Sequence, residues 1–187
     1  MLKAIALYDS LSRLNDKAET LIFLGEILYF DEKYSIALKY LQEAENIAHQ
    51  IGDKTLLAQS YEIKAIIYLD GLADKKSGKS YLLKSNAILL NADKLNILTQ
   101  NYISLATFHL ENKNIDSLLF FIEKGEITLN KTENIKSNAK IYFQHSLTSL
   151  KGTGYARIGK LDTAKSFIEQ SLPFFLENEN WYDVAWS

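Results

Sequence analysis

Cysteine is absent from this chain of 187 residues, so neither a disulfide framework nor thiolate chemistry is open to it. That absence is compatible with a reducing compartment. Proline occurs once and glycine eight times, which suits a mostly helical protein. No apolar run approaches the ~18 residues that a membrane span needs, and Lys3, Asp9, Arg13 and Asp16 interrupt the N-terminal stretch, which does not read as a signal peptide. An excess of one charge is lacking too. Twenty-one Lys and Arg against 23 Asp and Glu leave a net charge of -2, and nucleic-acid affinity grows with the number of phosphates neutralised. Lys75, Lys76, Lys79 and Lys84 form a local cationic cluster that reads as solvated helix ends. What remains is a chain of 47% hydrophobic content, long enough to bury one continuous helical core. The expectation is one all-α domain over residues 1–187, cytoplasmic, with no nucleic-acid or membrane partner.

What the chain does have is a recurrence of small residues: Gly25, Ala37 and Ala44; Ala65, Ser80 and Ala87; Ala106 and Gly125; Gly152, Ala164 and Ser171. An internal repeat is the first reading. In the first full unit Leu21, Leu24, Gly25 and Leu28 share one helical face. Tyr34, Ala37, Leu41 and Ala44 share a face of a second helix after a turn at Asp31 to Lys33, so the two form a hairpin. Gly25 and Ala37 fall where the helices cross, and small side chains there permit close approach. Ala44 leaves room for the next hairpin.

Spacings of twelve and then seven residues between small positions, with an aromatic just after the turn, resemble the tetratricopeptide repeat (TPR). Tyr102, Leu105, Ala106, Ile115, Leu118, Ile122 and Gly125 repeat the register, with bulky Leu118 where the family prefers alanine. Thr148, Gly152, Tyr155, Leu161, Ala164, Ile168 and Ser171 give a fourth unit, in which Lys151 replaces the usual leucine and Gly154 is expected to loosen the first helix. In the second unit Tyr61, Ala65 and Tyr68 fit, and Ser80, Lys84 and Ala87 follow after about three extra residues in the turn. The units are 17–53, 54–93, 94–133 and 134–178, recurring at roughly 38 to 46 residues. Residues 1–16, with Ala4 and Leu11 near the small positions, read as the second helix of a partial unit. Residues 179–187, with Trp181, Tyr182, Val184 and Trp186, read as the start of a further helix, so the array reads as excised from something longer. The resemblance implies a right-handed α-α superhelix, a solenoid of helical hairpins.

Ala73-Asp74-Lys75-Lys76-Ser77-Gly78-Lys79-Ser80 satisfies the permissive form of the phosphate-binding P-loop. That chemistry needs a loop leaving a buried strand and opening a helix, so that backbone N–H groups converge on phosphate. Here Ala58 to Asp70 reads as a helix, and the match is expected to be accidental. His49, His109 and His145 fall in different units with no metal-ligand spacing. His109 lies on the face held by Leu28 and Tyr68 in other units, which predicts a packing role. Glu19, Glu26, Glu43, Glu45 and Glu62 have the character of solvated helix faces. No catalytic residue, cofactor or metal is expected.

In the TPR family the first helices of successive hairpins line a concave groove. The family's groove positions fall here on Glu19, Ile22, Glu26, Tyr29 and Phe30; on Gln59, Glu62, Ile66 and Leu69; on Gln100, Ile103, Thr107 and Leu110; and on Ser146, Ser149, Thr153 and Arg157. Chaperone-binding members hold a terminal carboxylate with lysine and asparagine where Ile22 and Glu26 stand, so that clamp is not expected. The resemblance implies a peptide ligand with basic and apolar side chains, met by an acidic wall of Glu19, Glu26 and Glu62 beside Tyr29 and Phe30. Long-period arrays in bacterial regulators often precede an output module, which implies the sensory or scaffolding segment of a larger signalling protein. The alternatives are self-assembly through the array's ends and a P-loop enzyme.

Overall fold

The computed structural model describes residues 11–90, 94–132 and 137–178, together with Lys3, Leu7 and Tyr8. Ala4 and the aromatic group Trp181, Tyr182, Val184 and Trp186 lie outside the described residues. Among the described residues every regular element is a helix, no strand occurs, and the helices pack in adjacent pairs. No described helix is long and apolar enough to cross a membrane. The chain divides into two compact units, residues 1–93 and 94–187.

The first unit holds α1 (Leu14–Phe30), α2 (Tyr34–Ile51), α3 (Lys54–Ile66) and α4 (Lys75–Leu89), with a π-helical turn, Ile67–Gly71, continuing α3. Helix α1 pairs with α2 and α3 with α4; α2 packs on α3, and α1 also reaches α3. Gly52, in the left-handed region at φ 72°, ends α2, and the Asp53 carboxylate accepts from the N–H groups of Thr55 and Leu56 at 2.8 and 3.0 Å to start α3. A residue free of Cβ strain and an N-cap thus make the sharp reversal between hairpins. Ala37, Leu41 and Ala44 are fully buried, and a Cβ on Gly25 would stand 2.7 Å from Leu41 Cγ. The small residues of the first hairpin therefore sit at the helix crossing, as their spacing predicts.

The second hairpin corrects the predicted register. Ser80, Lys84 and Ala87 are exposed, whereas Gly78, Leu82 and Ser85 are buried. Gly78, Leu82 and Ser85 carry the same spacing as Ala37, Leu41 and Ala44, and Gly78 lies thirteen residues after Ala65 where the first hairpin has twelve. The hairpin therefore holds one extra residue rather than three. A π-turn adds one residue to a helical turn, and Ile67–Gly71 takes up the insertion there.

The second unit holds α5 (Leu95–Glu111), α6 (Ile115–Lys131), α7 (Ser137–Arg157) and α8 (Leu161–Glu177), with α5 paired to α6, α7 to α8, and α7 also packed on α5 and α6. Bulky Leu118 is fully buried because Gly154 faces it: a Cβ on Gly154 would stand 2.8 Å from Leu118 Cδ2. Helix α7 runs unbroken through Gly154, which serves close approach rather than loosening the helix.

An aromatic stack recurs at one repeat position. Tyr68 lies on Tyr81 at 5.5 Å, His109 on Phe121 at 5.4 Å and Tyr155 on Phe167 at 5.7 Å between ring centroids, each pair nearly parallel. Each first member stands three residues after the small residue of its first helix, and each second member three after the buried Gly78, Leu118 or Ala164 of the next. Buried His109 is thus a stacking residue.

Candidate functional site

Helices α1 and α3 lie side by side in the first unit and bring together carboxylates 36 positions apart, Glu26 and Glu62. Both are half-buried. Desolvation pushes the Glu62 carboxyl up to about 8, and the neighbouring Glu26 carboxylate adds to the rise. Desolvation also raises the Glu26 carboxyl. Among the described residues no lysine or arginine pairs with either: Lys17 meets Glu43, and Lys64 meets Glu45. The acidic pair on this face thus has no counter-cation among the described residues.

Aromatic surface adjoins it at the C-terminal end of α1. Phe30 is 57% exposed, whereas Tyr29 packs partly against the core beside Phe30 and Tyr34, at centroid distances of 5.2 and 6.2 Å. The Tyr29 hydroxyl donates to Asp70 Oδ2 at 3.5 Å, linking α1 to the π-turn and adding a third carboxylate to the edge. Glu19 is exposed and Ile66 half-buried. Two of the predicted groove residues of this unit are turned inward. Ile22 is 9% exposed within the core, and Leu69 packs where a Cβ on Gly78 would meet its Cγ at 2.5 Å.

The corresponding face of the second unit has a different character. Ile103 is 7% exposed and belongs to that unit's core, so it offers a ligand little surface. The Thr107 and Thr153 hydroxyls donate to the carbonyls of Ile103 and Ser149 at 3.1 and 3.0 Å, back onto their own helices. Gln100 is half-buried, and Arg157 stands exposed at the end of α7.

The P-loop stretch has a helical setting. Ala73 takes a left-handed conformation at φ 53°, Asp74 caps α4, and the chain before them is α3 with its π-turn. The Ser77 N–H donates to Asp74 Oδ1 at 3.1 Å and the Gly78 N–H to the Asp74 carbonyl at 3.0 Å. Hydrogen bonds from Ser77 hold the Asp74 carboxyl below the usual carboxylate range. A carboxylate already occupies the helix end that a phosphate would need. Adding millimolar ATP and magnesium is accordingly expected to leave the thermal midpoint unchanged; micromolar ATP binding abolished by Lys79→Ala would overturn this.

Sequence reasoning missed a buried ion pair. Lys64 is 2% exposed in α3, pairs with Glu45 of α2 and donates to Gln42 Oε1 at 2.9 Å. Its sequence signal was a lysine in a slot that holds leucine in α1 and α5. Of the histidines, His49 is exposed, and the His145 ring lies parallel to Phe174 at 4.4 Å. Among the described residues no three His, Cys, Asp or Glu side chains stand close enough to hold a metal ion. Compared with known proteins, the chain matches no family model and no curated protein.

Proposed function

We propose that this all-α protein is a TPR-like array that binds a protein or peptide ligand, and that its hairpins continue as a right-handed solenoid. The observation that carries this reading is the meeting of Glu26 and Glu62 from successive first helices, beside exposed Phe30. A peptide with basic and apolar side chains complements such a face: the ring supplies anchor area, Glu19 and Glu26 supply steering, and Glu62, which holds its proton at neutral pH in the empty fold, ionises as a cationic side chain draws near. The proposed role is non-enzymatic and cytoplasmic, without cofactor, nucleic acid or membrane. By fold-level analogy it is the sensory or interaction segment of a larger bacterial regulatory protein.

The test uses a short synthetic peptide alternating lysine and leucine, titrated at low salt by fluorescence anisotropy. Tyr29→Ala with Phe30→Ala is expected to weaken binding roughly tenfold with helicity intact. Glu19→Lys with Glu26→Lys is expected to slow association most at low salt, where screening is least. Wild-type affinity and rate in both variants would remove the α1–α3 face from consideration.

A second reading, self-assembly, draws on α8, where Leu161, Leu172 and Leu176 are 68%, 47% and 68% exposed along one stripe. Sedimentation of the intact chain decides it: a concentration-dependent rise in mass supports association, and a constant monomer mass removes it.

A further inference from the structure

The residue before the small position of each first helix is leucine in α1 and α5, Leu24 and Leu105, and lysine in α3 and α7, Lys64 and Lys151. Leu105 is fully buried, so the slot accepts an apolar side chain. Both lysines meet a glutamate one residue past the small position of the preceding helix: Glu45 follows Ala44, and Glu126 follows Gly125.

The surroundings recur as well. Lys64 Nζ lies 5.5 Å from the Tyr81 ring centroid and Lys151 Nζ 5.4 Å from that of Phe167, and both rings stand at the same position of the following helix. The Tyr61 hydroxyl donates to Glu45 Oε1 at 3.4 Å. Lys151 reaches both Glu126 oxygens, at 2.9 and 3.1 Å. A lysine, a glutamate and a ring thus form one assembly, built once in each unit, that ties a hairpin's second helix to the first helix of the next.

The attraction within a buried ion pair roughly offsets the desolvation of its members, so an apolar pair fills such a site with comparable stability. What an apolar pair lacks is direction. A hairpin rotated on its neighbour, or displaced by one helical turn, would leave Lys64 buried without its counter-charge, whereas leucine would tolerate many such arrangements.

We propose that Glu45–Lys64 and Glu126–Lys151 are charge keys, which select the rotation and register of one hairpin on the next and contribute order rather than stability. The experiment compares Lys64→Met with the double variant Glu45→Met and Lys64→Met in the full chain, by thermal unfolding and amide hydrogen exchange. The single variant is expected to lower the midpoint, because Glu45 loses its partner. The double variant is expected to recover the midpoint while α3 and α4 exchange at least tenfold faster than in the wild type. A double variant exchanging at the wild-type rate overturns the proposal, and so does one whose midpoint stays below that of the wild type, since the pair would then carry stability. Because Glu126–Lys151 is more exposed, with side chains 38% and 25% accessible, the same comparison there, read in α7 and α8, serves should the Lys64 variants not fold.

Discussion

Replacing Gly78 with leucine should lower the thermal unfolding midpoint, whereas replacing Ser80 with leucine should leave it nearly unchanged. A Cβ on Gly78 would stand 2.5 Å from Leu69 Cγ and 3.1 Å from the Ala65 carbonyl oxygen. Leu69 can rotate away, but the carbonyl belongs to the backbone of α3 and cannot give without separating the helices. Overpacking of this kind costs roughly 1 to 3 kcal/mol. Leucine also regains most of the about 0.8 to 1 kcal/mol of helix propensity that separates glycine from alanine, so a net loss reports the close contact. The expected fall is on the order of 5 to 10 °C for a unit of this size. Ser80 is exposed, and leucine there has room. Circular dichroism melts of the two variants decide between the registers: a fall in Ser80→Leu with none in Gly78→Leu would restore the three-residue insertion and overturn the packing of α4 on α3.

That comparison marks where the sequence could be read and where it could not. Small residues at a helix crossing are demanded by interaxial distance, so Gly25 with Ala37, and Gly152 with Ala164, could be placed from spacing alone. In the second hairpin a single inserted residue moved every later position. Its trace was present in Gly78, Leu82 and Ser85, which repeat the Ala37, Leu41 and Ala44 pattern. It was obscured because a π-turn has no composition of its own. Of the site, Glu26 and Glu62 were legible as residues of one face, since helical periodicity sets direction. The inward turn of Ile22 and Ile103 was not, because periodicity does not say how far a neighbouring helix covers a face. The Lys64–Glu45 pair escaped for a related reason: a lysine in an apolar slot needs a partner from another helix, and no local rule names it.

Glu62→Gln should stabilise the fold at neutral pH and flatten its dependence on pH. The Glu62 carboxyl titrates near 8 in the fold, against an ordinary glutamate value of 4.5. The folded chain therefore holds this proton more tightly than the unfolded chain does. Its contribution to stability is fully present below about pH 4.5, declines as pH rises toward 8, and is lost above it. The slope from one such group reaches at most about 1.4 kcal/mol per pH unit. Asp74, whose carboxyl lies below the usual range, acts in the opposite sense at low pH, so the quantity to measure is the difference between wild type and Glu62→Gln in urea unfolding from about pH 5 to 9. That difference should grow with pH and level off near 8. Glu26→Gln should recover only part of it, because desolvation is the larger cause of the raised value and repulsion from Glu26 the smaller. A carbon-13 titration of the Glu62 carboxyl supplies the direct check: a midpoint near 4.5 in the wild type would mean that water reaches the group freely. The paired carboxylates would then not be the desolvated site on which the α1–α3 face depends.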